Sequence, residues 1–222
     1  MYRILRTAVA AAMLSLPLAC IAADRGTFPA PKYDAMKAPG KLQTAVFAGG
    51  CFWGTQSVFE RVKGVKKTVA GYAGGKQSTA TYDQVTAETT GHAESVEVQY
   101  DPSVITYGEL LRIFFSVAHD PTQLNRQGPD VGTSYRSAIF FLTPEQQKIA
   151  QAYIAQLDDA HAFQKKIVTE VTPLKGFYRG EEYHQDYALH NPNNPYIMVC
   201  DRPKIEALKK DYPDLFINYR GQ

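Results

Sequence analysis

The stretch Thr44–Gly64, TAVFAGGCFWGTQSVFERVKG, sets the reading of the whole chain. Thr44 to Gly50 reads as a short strand ending in two glycines, and Phe52 to Lys63 carries Phe52, Val58, Phe59 and Val62 at helical spacing, with Gly64 as the C-cap. Cys51 therefore falls at a strand-to-helix junction. Unpaired N–H groups and the positive end of a helix dipole favour a thiolate there, and the thiolate is the nucleophilic form of cysteine. Gly49 and Gly50 let a ligand approach the backbone, and Phe52 and Trp53 place two aromatics at a partly exposed helix start. The competing reading is a buried cysteine acting as a small hydrophobe.

Composition narrows the field. With 222 residues, 45% of them hydrophobic and 21% charged, the chain can build a core without disulfide staples. Its 24 basic and 22 acidic residues form no basic stripe, which argues against a nucleic-acid partner. Residues 1–23 differ in kind: Arg3 and Arg6 lead an apolar Ala8–Leu18 run too short to span a bilayer, followed by small residues to Ala23. This is the pattern of a secretory signal, predicting export to a periplasm or cell envelope. Cleavage after Ala22 or Ala23 removes Cys20 and leaves Cys51 and Cys200. The alternative is a lipid anchor on Cys20, which Pro17 disfavours. Two cysteines make no disulfide framework, so chemistry is the expected use.

Residues 24–41, with Pro29, Pro31, Pro39 and Gly40, read as a linker before a domain spanning 42–222. A second strand is expected over Val65–Ala73. In Ala93–Tyr100, AESVEVQY, the period of two puts Glu94 on the face of Val96, Val98 and Tyr100, and Glu97 on the other. A carboxyl drawn to an apolar face loses water and stays protonated, ready to donate; the bland alternative is that Glu94 leans out or pairs with an arginine. Thr106 and Glu109 make a capping box for a helix carrying Leu110, Ile113, Phe114 and Val117. The 122–134 loop is long and without structure of its own, delivering Asp130 and Tyr135 to a strand over 136–142. A helix follows from Thr143-Pro144 to about His161, then a strand over Ile167–Thr172. His184 and His190 are six apart and share no helix face, so no metal site is expected, and the glycine clusters fit neither phosphate-loop spacing. Ile197-Met198-Val199 suggests a buried strand before Cys200, and a Lys- and Leu-rich helix closes the chain. About five strands with helices between them predict an α+β two-layer sandwich on a mixed sheet, with a ferredoxin-like, plait-type core.

Read in order, Gly50-Cys51-Phe52-Trp53-Gly54, Gly71-Tyr72-Ala73-Gly74-Gly75, Gly91-His92-Ala93-Glu94, His119-Asp120-Pro121, Gly132-Thr133-Ser134-Tyr135-Arg136-Ser137 and Tyr183-His184-Gln185 resemble the A-type peptide-methionine sulfoxide reductases. The resemblance covers roughly Ala45 to Asn191. It implies thiol-dependent reduction of the S epimer of methionine sulfoxide, free or in proteins, with no cofactor beyond an external thiol such as a thioredoxin-like protein or dithiothreitol. By position it implies Cys51 as nucleophile passing through a sulfenic acid, Glu94 as proton donor and Tyr82 and Tyr135 as donors to the sulfoxide oxygen. Phe52 and Trp53 would cradle the methyl group, with Asp130 in support. The chain departs from the pattern at its end, where the glycine-rich tail with recycling cysteines is missing and Cys200 is displaced; it is either the resolving cysteine or an inert one. Competing classes are Cys-His acyl transfer, with His92 or His184 as base, and a non-catalytic module binding oxidised or methionine-rich peptides.

Overall fold

The computed structural model describes residues 28–219 and Gly221. The expected secretory signal, Cys20 and the first residues of the expected linker lie outside the described residues. The regular elements are β1 (Gln43–Gly49), α1 (Phe52–Phe59), β2 (Val65–Ala73), α2 (Tyr82–Val85), β3 (Ala93–Tyr100), α3 (Tyr107–Ile113), β4 (Arg126–Gln127) and β5 (Asp130–Val131). They continue with β6 (Ser137–Phe141), α4 (Pro144–Asp159), β7 (Glu170–Pro173), β8 (Phe177–Arg179), α5 (Tyr187–His190) and α6 (Arg202–Asp211).

Six strands form one mixed sheet in the order β7-β6-β1-β3-β2-β8, and β4 and β5 pair separately. β1 is antiparallel to both β3 and β6, β3 is antiparallel to β2, and only β6 and β7 run parallel. Consequently β1-α1-β2 returns in the same direction with β3 inserted between its strands, and β3 to β6 does the same around β1. Period-two alternation decides what each face carries. Phe47, Val96, Val98, Tyr72 and Ile139 meet Phe59, Leu110, Phe114, Ile149 and Leu157 of the helices in the main core. Val46, Ala48, Ala138 and Phe140 form a smaller cluster with Leu174 and Phe177 on the opposite face. The rings of Phe59 and Phe114 stack on Phe47 at 5.2 and 5.0 Å, so α1 and the end of α3 are registered on the central strand.

Local signals placed most elements. The Thr106/Glu109 capping box forms, with Glu109 N–H donating to Thr106 Oγ1 at 3.1 Å and Thr106 N–H to Glu109 Oε2 at 2.8 Å. Thr143 caps α4, with Pro144 in its first turn. Several expectations need correction. Helix α1 ends at Phe59 rather than Lys63, and Gly64, at φ +98°, lies in the turn beyond it. The strand expected from Ile167 begins at Glu170. Ile197–Asp201 is a π-helical turn in which only Ile197 and Asp201 are buried, because a short apolar run does not distinguish strand from helix.

The segment from Phe28 to Lys41 has no regular structure, and it is fastened to the domain. Phe28 is in the main core; its carbonyl accepts from Arg112 Nε at 2.9 Å, and the Pro29 carbonyl accepts from Tyr153 Oη at 2.6 Å. Asp34 caps the head of α3, accepting from Gly108 N–H at 2.9 Å and from the Thr106 hydroxyl.

Candidate active site

Gly50 turns the chain from β1 into α1 with a φ of +83°, a conformation open mainly to glycine, and a Cβ there would collide with Gln127. Cys51 is thereby fixed as the N-cap residue, 8% exposed. One residue on, the Phe52 N–H donates to Glu94 Oε2 at 3.0 Å. Glu94 comes from β3, directly opposite Tyr72 of β2, on the face that the alternation assigned to it. It is 3% exposed and pairs with no arginine among the described residues. Burial pushes its pKa up to about 8 against the pull of the Phe52 N–H, with Asp130 and Glu88 raising it further. At neutral pH it is therefore a carboxylic acid. Because Oε2 accepts the backbone bond, the proton is free to reside on Oε1.

Cys51 departs from the expectation of a resting thiolate. Burial drives its pKa well above the ordinary thiol value, and the charges of Glu94 and Asp201 add to this; the Trp53 N–H and the Lys204 ammonium pull the other way. Desolvation outweighs the helix terminus, whose field alone is worth about a kcal/mol. The resting side chain is a thiol.

Around Cys51 and Glu94 lies a cavity of about 140 Å³, lined also by Phe52, Trp53, Tyr82, Asp130, Tyr135 and Tyr196. It has room for a small polar head and an alkyl group, well below the several hundred Å³ of a typical cofactor pocket. A larger cavity of about 290 Å³ between residues 35–43 and Tyr100 is lined by no cysteine, histidine or carboxylate. All seven residues that the motifs single out as catalytic or substrate-binding therefore meet in one place, delivered by separate elements.

Each is held by partners that carry no chemistry themselves. Glu181 accepts from the Tyr82 N–H at 2.9 Å and the Tyr72 hydroxyl at 2.7 Å, fixing the start of α2. Glu88 accepts from Ser134 N–H at 2.9 Å and Thr133 Oγ1 at 2.8 Å, fixing the turn that carries Tyr135. The loop over 122–134 is more ordered than expected: β4 and β5 make a tight hairpin with Gln127 opposite Asp130. The Gln127 amide locks onto the backbone of Asp120 through bonds of 3.1 Å in both directions, which seats the hairpin against Gly50. Burial, with the neighbouring Glu94 charge, raises the pKa of both Tyr82 and Tyr135, so both hydroxyls are retained as hydrogen-bond donors.

Phe52 is buried rather than partly exposed, its ring 4.9 Å from His184 and 5.8 Å from Tyr72. Trp53 stacks on Tyr187 at 3.8 Å and 11° and meets Tyr196 edge-on at 6.0 Å. The Trp53 Nε1–H donates to His184 Nδ1 at 3.1 Å. That bond leaves the His184 proton on Nε2, and burial lowers the imidazole pKa, so His184 is neutral with no free lone pair. His92 has both nitrogens engaged, Nδ1 accepting from Gly75 N–H at 3.2 Å and Nε2 facing the Lys76 carbonyl at 3.0 Å. Neither histidine offers a base to Cys51.

Tyr196 is the lining residue that the sequence reading missed. Its hydroxyl donates to Asp130 Oδ2 at 2.5 Å, closing the cavity wall between the hairpin and the C-terminal segment. The signal for it was its place directly after the Asn191–Pro195 turn, which brings the chain back over Trp53. Cys200, four residues on, is half-buried, is not joined to Cys51 by a disulfide and is absent from the cavity lining. Among the described residues, no group of three or more His, Cys, Asp and Glu side chains could hold a metal ion, and no helix is long and apolar enough to cross a membrane.

Comparison with known proteins agrees with this geometry. The family model described as peptide methionine sulfoxide reductase matches residues 43–215. The chain belongs to the peptide methionine sulfoxide reductase family. Relatives in this family include peptide methionine sulfoxide reductase MsrA 2 of Synechocystis, 55% identical over 172 residues, 78% of this chain and 80% of that one. The MsrA 2 of Mesorhizobium japonicum is 55% identical over 183 residues, 82% of this chain and 93% of that one. Among solved structures, reduced Mxr1 from Saccharomyces cerevisiae superposes with a TM-score of 0.63 at 36% identity, covering 73% of this chain and 92% of that one. Methionine sulfoxide reductase A of Corynebacterium diphtheriae gives 0.62 at 36% identity, over 72% and 80% of the two chains. The names of both relatives place the chain among the oxidoreductases of this family.

Proposed function

We propose that the 140 Å³ cavity reduces the S epimer of methionine sulfoxide, free or within proteins, to methionine. The observation that carries this reading is the pairing of a protonated Glu94 with Cys51 across a single turn of backbone, in one cavity with two tyrosine hydroxyls. A sulfoxide oxygen leaves only once protonated, so the reaction needs an acid that is neutral at working pH. The Cys51 sulfur attacks the sulfoxide sulfur while Glu94 Oε1 protonates the oxygen, and Tyr82 and Tyr135 hold that oxygen by hydrogen bonds. The S–O bond breaks and the oxygen leaves as water, carrying the Glu94 proton and the thiol proton. That water then attacks the Cys51 sulfur, the S–S bond breaks to release the thioether, and the surplus proton returns to Glu94. The oxygen ends on Cys51 as a sulfenic acid, so sulfoxide sulfur is reduced by two electrons and cysteine oxidised by two. Phe52 and Trp53 receive the methyl group. Fixing methyl and oxygen at two separate places is what excludes the other epimer.

Recycling follows from the position of Cys200. It stands on the π-helical turn outside the cavity, and we infer that an external thiol, such as a thioredoxin-like protein, reduces the Cys51 sulfenic acid directly. Thiol counting after one equivalent of substrate tests this: Cys200 remaining as a thiol supports it, and loss of both thiols to a disulfide overturns it. The sheet order and the two interleaved β-α-β units support a plait-type core, with β7 and β8 as added edges. The Arg3/Arg6 and Ala8–Leu18 pattern supports export to the envelope, which the mass of the mature N-terminus and cell fractionation would check.

Cys-His acyl transfer is disfavoured because both nitrogens of His92 are engaged and the one lone pair of neutral His184, on Nδ1, already accepts from Trp53. Incubation with separated S and R epimers and dithiothreitol decides among the readings. Consumption of the S epimer alone is expected. Consumption of both, or binding without turnover, overturns the proposal.

A further inference from the structure

Gly54 lies three residues after Cys51, on the first turn of α1, and the space that a side chain would fill is occupied. A Cβ there would overlap Asp201 Oδ1 and Lys204 Nζ, which reach it from the π-helical turn and α6. These two form a buried ion pair, Nζ to Oδ1 at 3.2 Å, with side-chain exposures of 18% for Lys204 and 0% for Asp201. The second carboxylate oxygen, Oδ2, is buried with no hydrogen-bond partner. A buried pair with an unpartnered oxygen is a poor stabilising device, because desolvating both charges offsets most of their attraction. Its position suggests another use. Residues i and i+3 of a helix are neighbours, so the pair sits beside Cys51.

The charged groups facing Cys51 among the described residues are Glu94 from β3, Asp130 from β5, and Asp201 and Lys204 from the C-terminal segment; the ionisable hydroxyls are those of Tyr82, Tyr135 and Tyr196. Three of these four charged or chargeable groups are acids that disfavour a thiolate. Lys204 is the one that favours it.

Resting on the reading of Cys51 as nucleophile, we propose that Lys204 and Asp201 are positioning residues for it. The Lys204 ammonium, seated on Gly54, supplies the counter-charge for the Cys51 thiolate, and Asp201 holds that ammonium in place while offsetting part of its field. The charge contributions at Cys51 have the matching signs, Asp201 raising and Lys204 lowering its pKa. Conversely, the Lys204 ammonium is itself favoured by Asp201, Cys51 and Cys200. Glycine at position 54 is required because nothing larger leaves room for the pair.

The test needs no sulfoxide. The full chain is alkylated with iodoacetamide between pH 6 and pH 10, and the Cys51 and Cys200 peptides are quantified separately by mass spectrometry. Lys204→Met should slow Cys51 alkylation at pH 8 by about tenfold, the consequence of a one-unit rise in pKa. Lys204→Arg should restore it. Asp201→Asn should act in the opposite direction, speeding Cys51 alkylation, since the ammonium then acts uncompensated. Lys204→Gln serves as a second neutral variant should the methionine variant fail to fold. Equal Cys51 rates in all variants, or shifts of the same sign for the Lys204 and Asp201 variants, would overturn the proposal. A chain that shows the opposed shifts but no sulfoxide turnover would leave this pair intact and reject the reaction assignment instead.

Discussion

Helix α1 has a protonated carboxyl at each end, and the two do different things. Glu94, at the head, has its pKa raised to about 8 chiefly by burial. Glu60, at the C-cap, is raised to about 8 by burial and by its hydrogen bond to Asp186. Glu94 faces a cavity with a thiol and two hydroxyls. Glu60 is walled in by Asp186, Thr68 and Arg61 and does not line the cavity at Cys51. A shifted pKa thus marks burial in both cases and function in only one; what separates them is an opening and a nucleophile facing the proton.

That contrast can be broken at either end. The largest effect is expected from Cys51→Ser, which should lower turnover at least about 10³-fold with the fold unchanged by circular dichroism. Activity near wild type would reject the assignment. Glu94→Gln should lower turnover about 10²- to 10⁴-fold, the range of a general acid. Wild-type activity should also fall as pH rises past about 8, where Glu94 ionises, and the glutamine variant should lack that limb of the pH profile. Tyr82→Phe and Tyr135→Phe should each cost roughly tenfold to a hundredfold in kcat, less than a full oxyanion donor because the other hydroxyl remains.

At the quiet end, Glu60→Gln should leave turnover unchanged and alter only the pH dependence of stability. The sign follows from proton binding. Below the ordinary carboxyl pKa of 4.5 both folded and unfolded chains hold the proton; between 4.5 and about 8 the folded chain keeps it and the unfolded chain releases it. Stability therefore falls as pH rises through that window. The Tm of Glu60→Gln should drop less than wild type between pH 5 and pH 9, and Glu94→Gln should remove a similar share. A Glu60→Gln profile parallel to wild type would show that Glu60 is charged in the fold. The smallest change concerns the N-terminal segment: Phe28→Ala should cost about 3 kcal/mol of stability with kcat unchanged, measured by urea unfolding.

The head of α1 was readable because its determinants are local. Two glycines and a helical period placed Cys51, and a period of two in AESVEVQY placed Glu94 on the buried face. The roles of Tyr82, Tyr135 and Asp130 came from the family resemblance, position by position, and the long 122–134 loop marked only the segment that delivers the last two. Tyr196, Asp201 and Lys204 were not readable, because their nearness to Cys51 depends on the C-terminal helix folding back over a point some 150 residues earlier, as the Gly54 contacts record. The raised thiol pKa was misjudged for a related reason: helix polarity can be read from one segment, but desolvation is produced by all the others. Proline-rich composition likewise described the 24–41 stretch as a connector, while Phe28, Pro29 and Asp34 fasten it to the domain.

The 3.0 Å bond from the Phe52 amide to Glu94 has a consequence for tolerance. The spacing between proton donor and sulfur is gauged by main chain, since the amide that grips the carboxyl belongs to the residue next to the cysteine. Motions of the hairpin, the C-terminal segment or the tyrosines can widen or narrow the entrance without altering that gauge. Substitutions around the rim should therefore change which sulfoxides are admitted far more readily than how the oxygen is removed.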